Sequence, residues 1–233
     1  MLDPAIMLIL VTALVSAFNP YTFSVLLMLS SVIYGRGHAS GRVFGLGLAY
    51  ILTILGMSIL GGAALLYLLS LLPMIATNYL ALGVGILIVC AGLLEIKDFF
   101  WYGQGISIHA PHLAVKNIKS LTKMRPGIGS AITLGFFVAV VSTPSSSAPY
   151  FATITLLGGN FSVDTVSLIV LYSVLFVLPM LIALIAIASG AKVSTFMRWK
   201  EEAKGKLRLG VGLLLIALGW MIILTTGGVL NFR

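Results

Sequence analysis

Residues 43–94 read VFGLGLAYILTILGMSILGGAALLYLLSLLPMIATNYLALGVGILIVCAGLL, and these 52 residues include no Asp, Glu, Lys or Arg. A helix needs roughly 20 apolar residues to cross a bilayer, so the stretch is long enough to cross twice. Pro73 and the polar pair Thr77 and Asn78 divide it. Proline cannot continue the helical hydrogen-bond ladder, so the stretch reads as a hairpin of two spanning helices. The pattern recurs on both sides of it. No charged residue lies between Asp3 and Arg36, between Arg125 and Asp164, between Asp164 and Lys192, or between Arg208 and Arg233. With 60% hydrophobic and 9% charged residues, a water-soluble core is excluded.

The apolar runs predict an all-α integral membrane protein with six transmembrane helices, over 5–33, 43–71, 76–96, 128–157, 164–189 and 207–229. The first run is longer than a span needs, so it must tilt or break. No basic stretch precedes it and no small-residue cleavage pattern follows, so a signal peptide is not expected. The largest polar segment, about 97–127, holds Gly103, Gly105, Pro111 and Pro126 and leaves no room for a soluble catalytic domain.

The net charge of +8 is not a nucleic-acid footprint, because the cations sort by side of the membrane. Arg36 and Arg42 follow the first predicted helix. Lys97, Lys116, Lys119, Lys123 and Arg125 follow the third. Lys192, Arg198, Lys200, Lys204, Lys206 and Arg208 follow the fifth. Only Arg233 lies on the other side, and the loops at 72–79 and 158–163 have no cation. The positive-inside rule then puts these basic loops in the cytoplasm and both termini outside, in a prokaryotic cell membrane.

The halves resemble each other. Leu80-Ala81-Leu82-Gly83-Val84-Gly85-Ile86-Leu87 parallels Leu207-Arg208-Leu209-Gly210-Val211-Gly212-Leu213-Leu214, and Gly92 then matches Gly219. Pro20 aligns with Pro144, and Gly35 with Gly159 on the same register. An odd number of helices per copy makes the second copy enter from the opposite side. The expected plan is a 3+3 inverted repeat, with 1–97 and 128–233 as the repeats and 98–127 as a cytoplasmic linker. In transporters of this plan the site sits at the repeat interface, on interrupted helices.

Two predicted helices are interrupted near mid-span. The first carries Asn19-Pro20-Tyr21-Thr22-Phe23-Ser24, and the fourth carries Ser142-Thr143-Pro144-Ser145-Ser146-Ser147-Ala148-Pro149-Tyr150. Proline kinks a helix and frees a carbonyl, which lipid tolerates only if protein or cavity water satisfies it. One such motif reads as an ordinary kink with Ser and Thr packing between helices. Two at equivalent positions read as a site. Its expected lining is Asn19, Pro20, Thr22, Ser24, Thr143, Pro144, Ser146, Ser147 and Pro149, with Gly35, Gly37, Gly158 and Gly159 as hinges.

These motifs, with six helices and the repeat, resemble the CcdA family, which includes the transmembrane domain of DsbD and serves cytochrome c biogenesis. The resemblance covers the whole chain. It implies a thiol-disulfide electron transporter that takes reducing equivalents from cytoplasmic thioredoxin and passes them to extracytoplasmic thioredoxin-like proteins. In that family a cysteine follows each proline. Here Tyr21 and Ser145 hold those catalytic positions, and Cys90 is the one cysteine. A thiol relay needs a thiolate and a partner sulfur. The resemblance therefore implies an inactive or trapped variant, and leaves open whether the chain is an oxidoreductase. It also implies alternating access, with the two kinked helices moving against the other four.

Other residues are weaker leads. Cys90 lies in an apolar run and reads as a small buried hydrophobe. His109 and His112 have no nearby carboxylate or thiol and read as loop residues. Glu95, Lys97 and Asp98, followed by Phe99, Phe100, Trp101 and Tyr102, read as an interfacial anchor. Arg198-Trp199-Lys200-Glu201-Glu202 reads as a solvated loop beside anionic lipid. No nucleotide or cofactor motif is visible, so no cofactor and no metal site are expected. Two alternatives remain open: a small-solute or metal-ion exporter of the inverted-repeat class, and a membrane scaffold.

Overall fold

The computed structural model describes residues 4–17, 20–101, 127–146, 148–156 and 161–226. All regular structure among these residues is helical. The helices are α1 (Pro4–Ala17), α2 (Pro20–Gly35), α3 (Ser40–Ser70), α4 (Met74–Phe100), α5 (Ile128–Ser146), α6 (Ala148–Leu156), α7 (Val163–Ala188) and α8 (Val193–Thr226). Four segments are long and apolar enough to cross a membrane: Ser40–Ser70, Ile75–Phe100, Val163–Ala188 and Gly205–Thr226. The chain is a multi-pass membrane protein. Helices α1 and α2 fall in the first predicted helix, and α5 and α6 in the fourth; positions 18, 19 and 147 lie outside the described residues.

The expected hairpin is present as α3 and α4, which Leu71, Leu72 and Pro73 join. Helix α7 begins with a reciprocal cap. The Ser162 hydroxyl accepts from the Thr165 N–H at 3.3 Å, and the Thr165 hydroxyl accepts from the Ser162 N–H at 3.0 Å. Pro179 sits inside α7 and removes one rung of its ladder. Helix α8 differs most from expectation. It starts at Val193, not near 207, and so includes the charged stretch around Arg198 and Glu202. Lys, Arg and Glu are good helix formers. Charge ends the apolar span there, but it does not end the helix.

Two antiparallel pairs dominate the packing. In the first, Gly47 of α3 faces Leu184 of α7, and Gly62 faces Ile169. In the second, α4 lies along α8 with glycines at both crossings. A methyl added at Gly92 would stand 2.7 Å from the Gly212 carbonyl oxygen, and one at Gly219 would stand 2.8 Å from that of Gly85. Backbones this close leave no room for a side chain, as small-residue seams in membranes require. Helix α5 runs beside α3, where Gly135 meets the Tyr50 carbonyl. Helix α1 runs beside α7, where Ile9 and Ala13 pack on Tyr172. The main apolar core joins α2, α3, α5 and α7 around Leu26, Tyr50, Leu134 and Leu184.

At one end of the α4–α8 seam, the carboxylate of Asp98 is buried. It lies 2.8 Å from the Lys97 ammonium and 3.4 Å from the Arg208 guanidinium. A carboxylate this buried requires paired cations. Beyond it Phe99, Phe100 and Trp101 are exposed, as an interfacial aromatic anchor requires.

Candidate functional site

Hydroxyl groups from α1, α3, α6 and α7 converge inside the bundle. The Tyr150 hydroxyl donates to the Ser58 carbonyl at 2.6 Å. The Ser58 hydroxyl shares a 2.9 Å hydrogen bond with Ser173. The Tyr172 hydroxyl donates to Ser16 at 2.7 Å. The Thr12 and Thr153 hydroxyls meet at 3.2 Å. The Tyr150 and Tyr172 rings lie side by side, with centroids 4.8 Å apart and planes tilted by 37°. Thr12, Ser16, Thr153, Tyr172 and Ser173 are buried. Ser58 and Ser173 lie about two turns or more from the ends of their helices.

Each polar atom here answers a physical demand. A hydroxyl without a partner in hydrocarbon costs several kcal/mol, so hydroxyls inside a membrane bundle seek one another or a main-chain carbonyl. Gly62 creates the space for the Tyr150 phenol, because a Cβ at that position would collide with the hydroxyl. Ser58 is one turn earlier on the same face of α3 and supplies the carbonyl. No cluster member carries a formal charge. The cluster can donate hydrogen bonds to, and accept them from, a polar group, and it contributes no fixed charge of its own.

A second contact lies toward the other half of the bundle. The Tyr50 hydroxyl of α3 donates to the Thr22 carbonyl of α2 at 3.0 Å. Thr22 is buried and Ser24 half-buried, so two of the expected lining residues face protein. Pro20 heads α2, and Tyr21 follows it. Thr143, Pro144, Ser145 and Ser146 lie in α5, and Pro149 in α6. The side chains of Pro20, Tyr21, Thr143, Pro144, Ser145, Ser146 and Pro149 lie outside the described positions, as do Asn19, Ser147, Gly158 and Gly159 altogether. Gly35 ends α2, and Gly37 takes a left-handed φ of 73° in the turn that follows. Cys90 departs from expectation. It is exposed on α4, on the outside of the helix pair, not buried in the core.

Sequence reasoning passed over Ser16, Ser58, Tyr172 and Ser173. Ser16 and Ser58 stand singly in apolar runs, Tyr172 and Ser173 as an adjacent pair, and none has a motif around it. The visible signal is that α1, α3 and α7 each carry at least one such residue well inside an apolar stretch, a costly placement unless they meet.

A family described as SfLAP: Sap, sulfolipid-1-addressing protein, has a model that matches residues 9–227. No curated protein and no solved structure matches the chain. The SfLAP match overturns the resemblance to the CcdA and DsbD electron transporters. With it fall thiol-disulfide exchange, the role in cytochrome c biogenesis, the thioredoxin partners on both sides, and the catalytic role of Tyr21 and Ser145. Nor does the match directly support the small-solute or metal-ion exporter. The physical reason for the error is plain. A proline followed by small hydroxyl residues is a general way to bend a membrane helix, and it does not specify sulfur chemistry.

Proposed function

The chain belongs to the SfLAP family, the Sap, sulfolipid-1-addressing proteins, and from that premise we propose that it delivers an anionic, sulfated lipid from one place in the membrane to another. The lipid's polar headgroup passes through the bundle beside the hydroxyl cluster, while its acyl chains stay in the bilayer against the apolar outer faces. One observation carries the reading: a fully neutral set of hydroxyls held together well inside two spanning helices. A polar headgroup that leaves the interface loses its hydrogen bonds to water, and Tyr150, Ser58, Ser173, Tyr172 and Ser16 offer replacements.

The proposed architecture is six spans in a 3+3 inverted repeat, with 1–97 and 128–233 as the halves and 98–127 as the linker. Packing supports it. The register that equates Gly85 with Gly212 and Gly92 with Gly219 turns the Gly85–Gly219 contact into the Gly212–Gly92 contact. A two-fold axis between the halves requires that exchange. The same operation turns the α3–α5 pairing into the α7–α1 pairing. In this scheme Pro20 of α2 and Pro144 of α5 hold equivalent places in opposite halves, and the turn at Gly35 and Gly37 serves as one hinge. The basic ends face the cytoplasm, because Arg36, Arg42, Lys192 and Arg198 stand at helix ends opposite the cation-free turns at 71–73 and 161–162.

The test is lipid retention. The full chain is extracted gently from vesicles that contain sulfatide, neutral galactosylceramide and phosphatidylcholine, and bound lipid is identified by native mass spectrometry. Sulfatide enriched over its share of the vesicle supports the reading. Bound lipid in the proportions of the vesicle contradicts it.

A further inference from the structure

We propose that Tyr50 and Tyr172 are equivalent latches on the segment around Pro20, and that Tyr172 trades the Ser16 hydroxyl for the main-chain carbonyl of Ser146 when the two halves exchange conformations. The inference rests on the two-fold arrangement proposed above, and not on the lipid that is carried.

The equivalence comes from packing. Gly47 of α3 faces Leu184 of α7, and Gly62 of α3 faces Ile169 of α7. A register that equates Gly47 with Ile169 and Gly62 with Leu184 turns each of these contacts into the other. The same register equates Tyr50 with Tyr172. Their surroundings agree. A methyl on Gly135 of α5 would stand 2.9 Å from the Tyr50 carbonyl oxygen, and Ala13 of α1 packs on Tyr172. Both tyrosines are buried.

The two phenols hold the chain on either side of Pro20. Tyr172 donates to the Ser16 hydroxyl of α1 at 2.7 Å, and Tyr50 donates to the Thr22 carbonyl of α2 at 3.0 Å. Pro20 has no N–H to give the Ser16 carbonyl, so the helical ladder lacks a rung between the two holds. Equivalent tyrosines thus act on unequal targets. The two-fold would send Tyr172 to the counterpart of Thr22. With Pro20 matched to Pro144, that counterpart is Ser146, at the end of α5. Tyr150, shortly beyond it in the chain, already lies with its ring beside Tyr172.

A phenol has one proton to donate, so Tyr172 holds Ser16 or Ser146 and never both. A buried phenol that lets go of one acceptor must take another. The alternatives are therefore two discrete states. The counterpart of Ser16 is Val140, which offers Tyr50 no hydroxyl. The holds on Ser16 and Thr22 belong to the state described here, and the hold on Ser146 belongs to its opposite. Rocking one repeat against the other is how inverted-repeat transporters change the side that is open.

The experiment uses the full chain with C90A in nanodiscs, spin-labelled at L14C on α1 and S31C on α2, two exposed positions on either side of Pro20. Double electron–electron resonance gives the distance between them in the natural background and in S16A, Y50F and Y172F. S16A and Y50F each remove a bond from one state only. Each should raise the share of a second distance, relative to the first, by about 2- to 10-fold. Y172F removes a bond from both states and should leave that ratio unchanged, although S16A and Y172F delete the same hydrogen bond. A purely structural bond makes those two variants alike, so equal distance distributions in S16A and Y172F overturn the proposal. So does a natural distribution in both S16A and Y50F. No sulfated lipid is present, so failure here leaves the delivery reading standing, and failure of sulfatide retention leaves the latch standing. The two-fold arrangement is tested apart from both, at the Gly85–Gly219 contact.

Discussion

The Tyr150 hydroxyl donates to the main-chain carbonyl of Ser58 at 2.6 Å, across a space that only a glycine at position 62 can leave open. This bond fastens α6, which follows the interrupted segment of the second half, onto α3 of the first half. It also brings Tyr150 beside Tyr172, whose hydroxyl reaches Ser16 on α1. A change at Gly62 should therefore be felt on three other helices.

Gly62→Ala should displace the Tyr150 phenol and destabilise the bundle by about 1–3 kcal/mol, the usual cost of overpacking. Tyr150→Phe removes one hydrogen bond and leaves the ring in place, at about 0.5–1.5 kcal/mol. The measurement is thermal unfolding in detergent. A Gly62→Ala chain as stable as the natural one would leave Gly62 without a steric role.

Along the α4–α8 seam, Gly92→Leu should force the helices apart, because the Gly212 carbonyl lies where its Cβ must go. Loss of yield or of monodispersity in detergent is the expected result. A gentler test is Gly85→Ala, whose methyl would stand 3.2 Å from the Gly219 carbonyl oxygen and should cost about 1–3 kcal/mol. Unchanged thermal stability in detergent would remove the close contact that supports the two-fold arrangement.

Asp98→Asn should cost about 1–3 kcal/mol, since it leaves Arg208 and Lys97 without their shared counter-charge at a buried position. The double variant D98N/R208Q should recover part of the loss. A double-mutant cycle reads the coupling, and coupling near zero would reduce the cluster to a surface pair.

Cys90→Ala should leave lipid delivery and stability unchanged within about 0.5 kcal/mol, as expected of an exposed position. Tryptophan at that position, C90W, should add fluorescence that brominated lipid acyl chains quench. Added fluorescence that the brominated lipid does not quench would contradict the outward placement.

Much of the fold was legible because lipid imposes simple rules. The uncharged run from Val43 to Leu94 marked α3 and α4, and the ends of α7 fell within a residue of expectation. The matched glycines were also readable, and they meet at the α4–α8 seam. The start of α8 was not readable, since Lys200, Glu201 and Glu202 look like loop by charge alone yet favour helix by propensity. The hydroxyl cluster was hidden for another reason. Thr12, Ser58 and Tyr172 acquire meaning only when three-dimensional packing brings them together, and no local spacing signals that. The prolines drew attention to segments 19–24 and 143–149, while the polar partners came from apolar runs that looked like plain lipid-facing helix. Resemblance to a redox family failed because bent helices serve many chemistries, and the sulfur that would have singled one out is missing.

Leaflet exchange of a fluorescent sulfatide in vesicles that contain the full chain is the most direct measurement. Exchange should run faster than in empty vesicles, and it should slow several-fold in Y172F/S173A, which removes hydroxyls worth about 1 kcal/mol each. Exchange no faster than in empty vesicles, or equally fast in that variant, would contradict passage of a sulfated headgroup beside these hydroxyls.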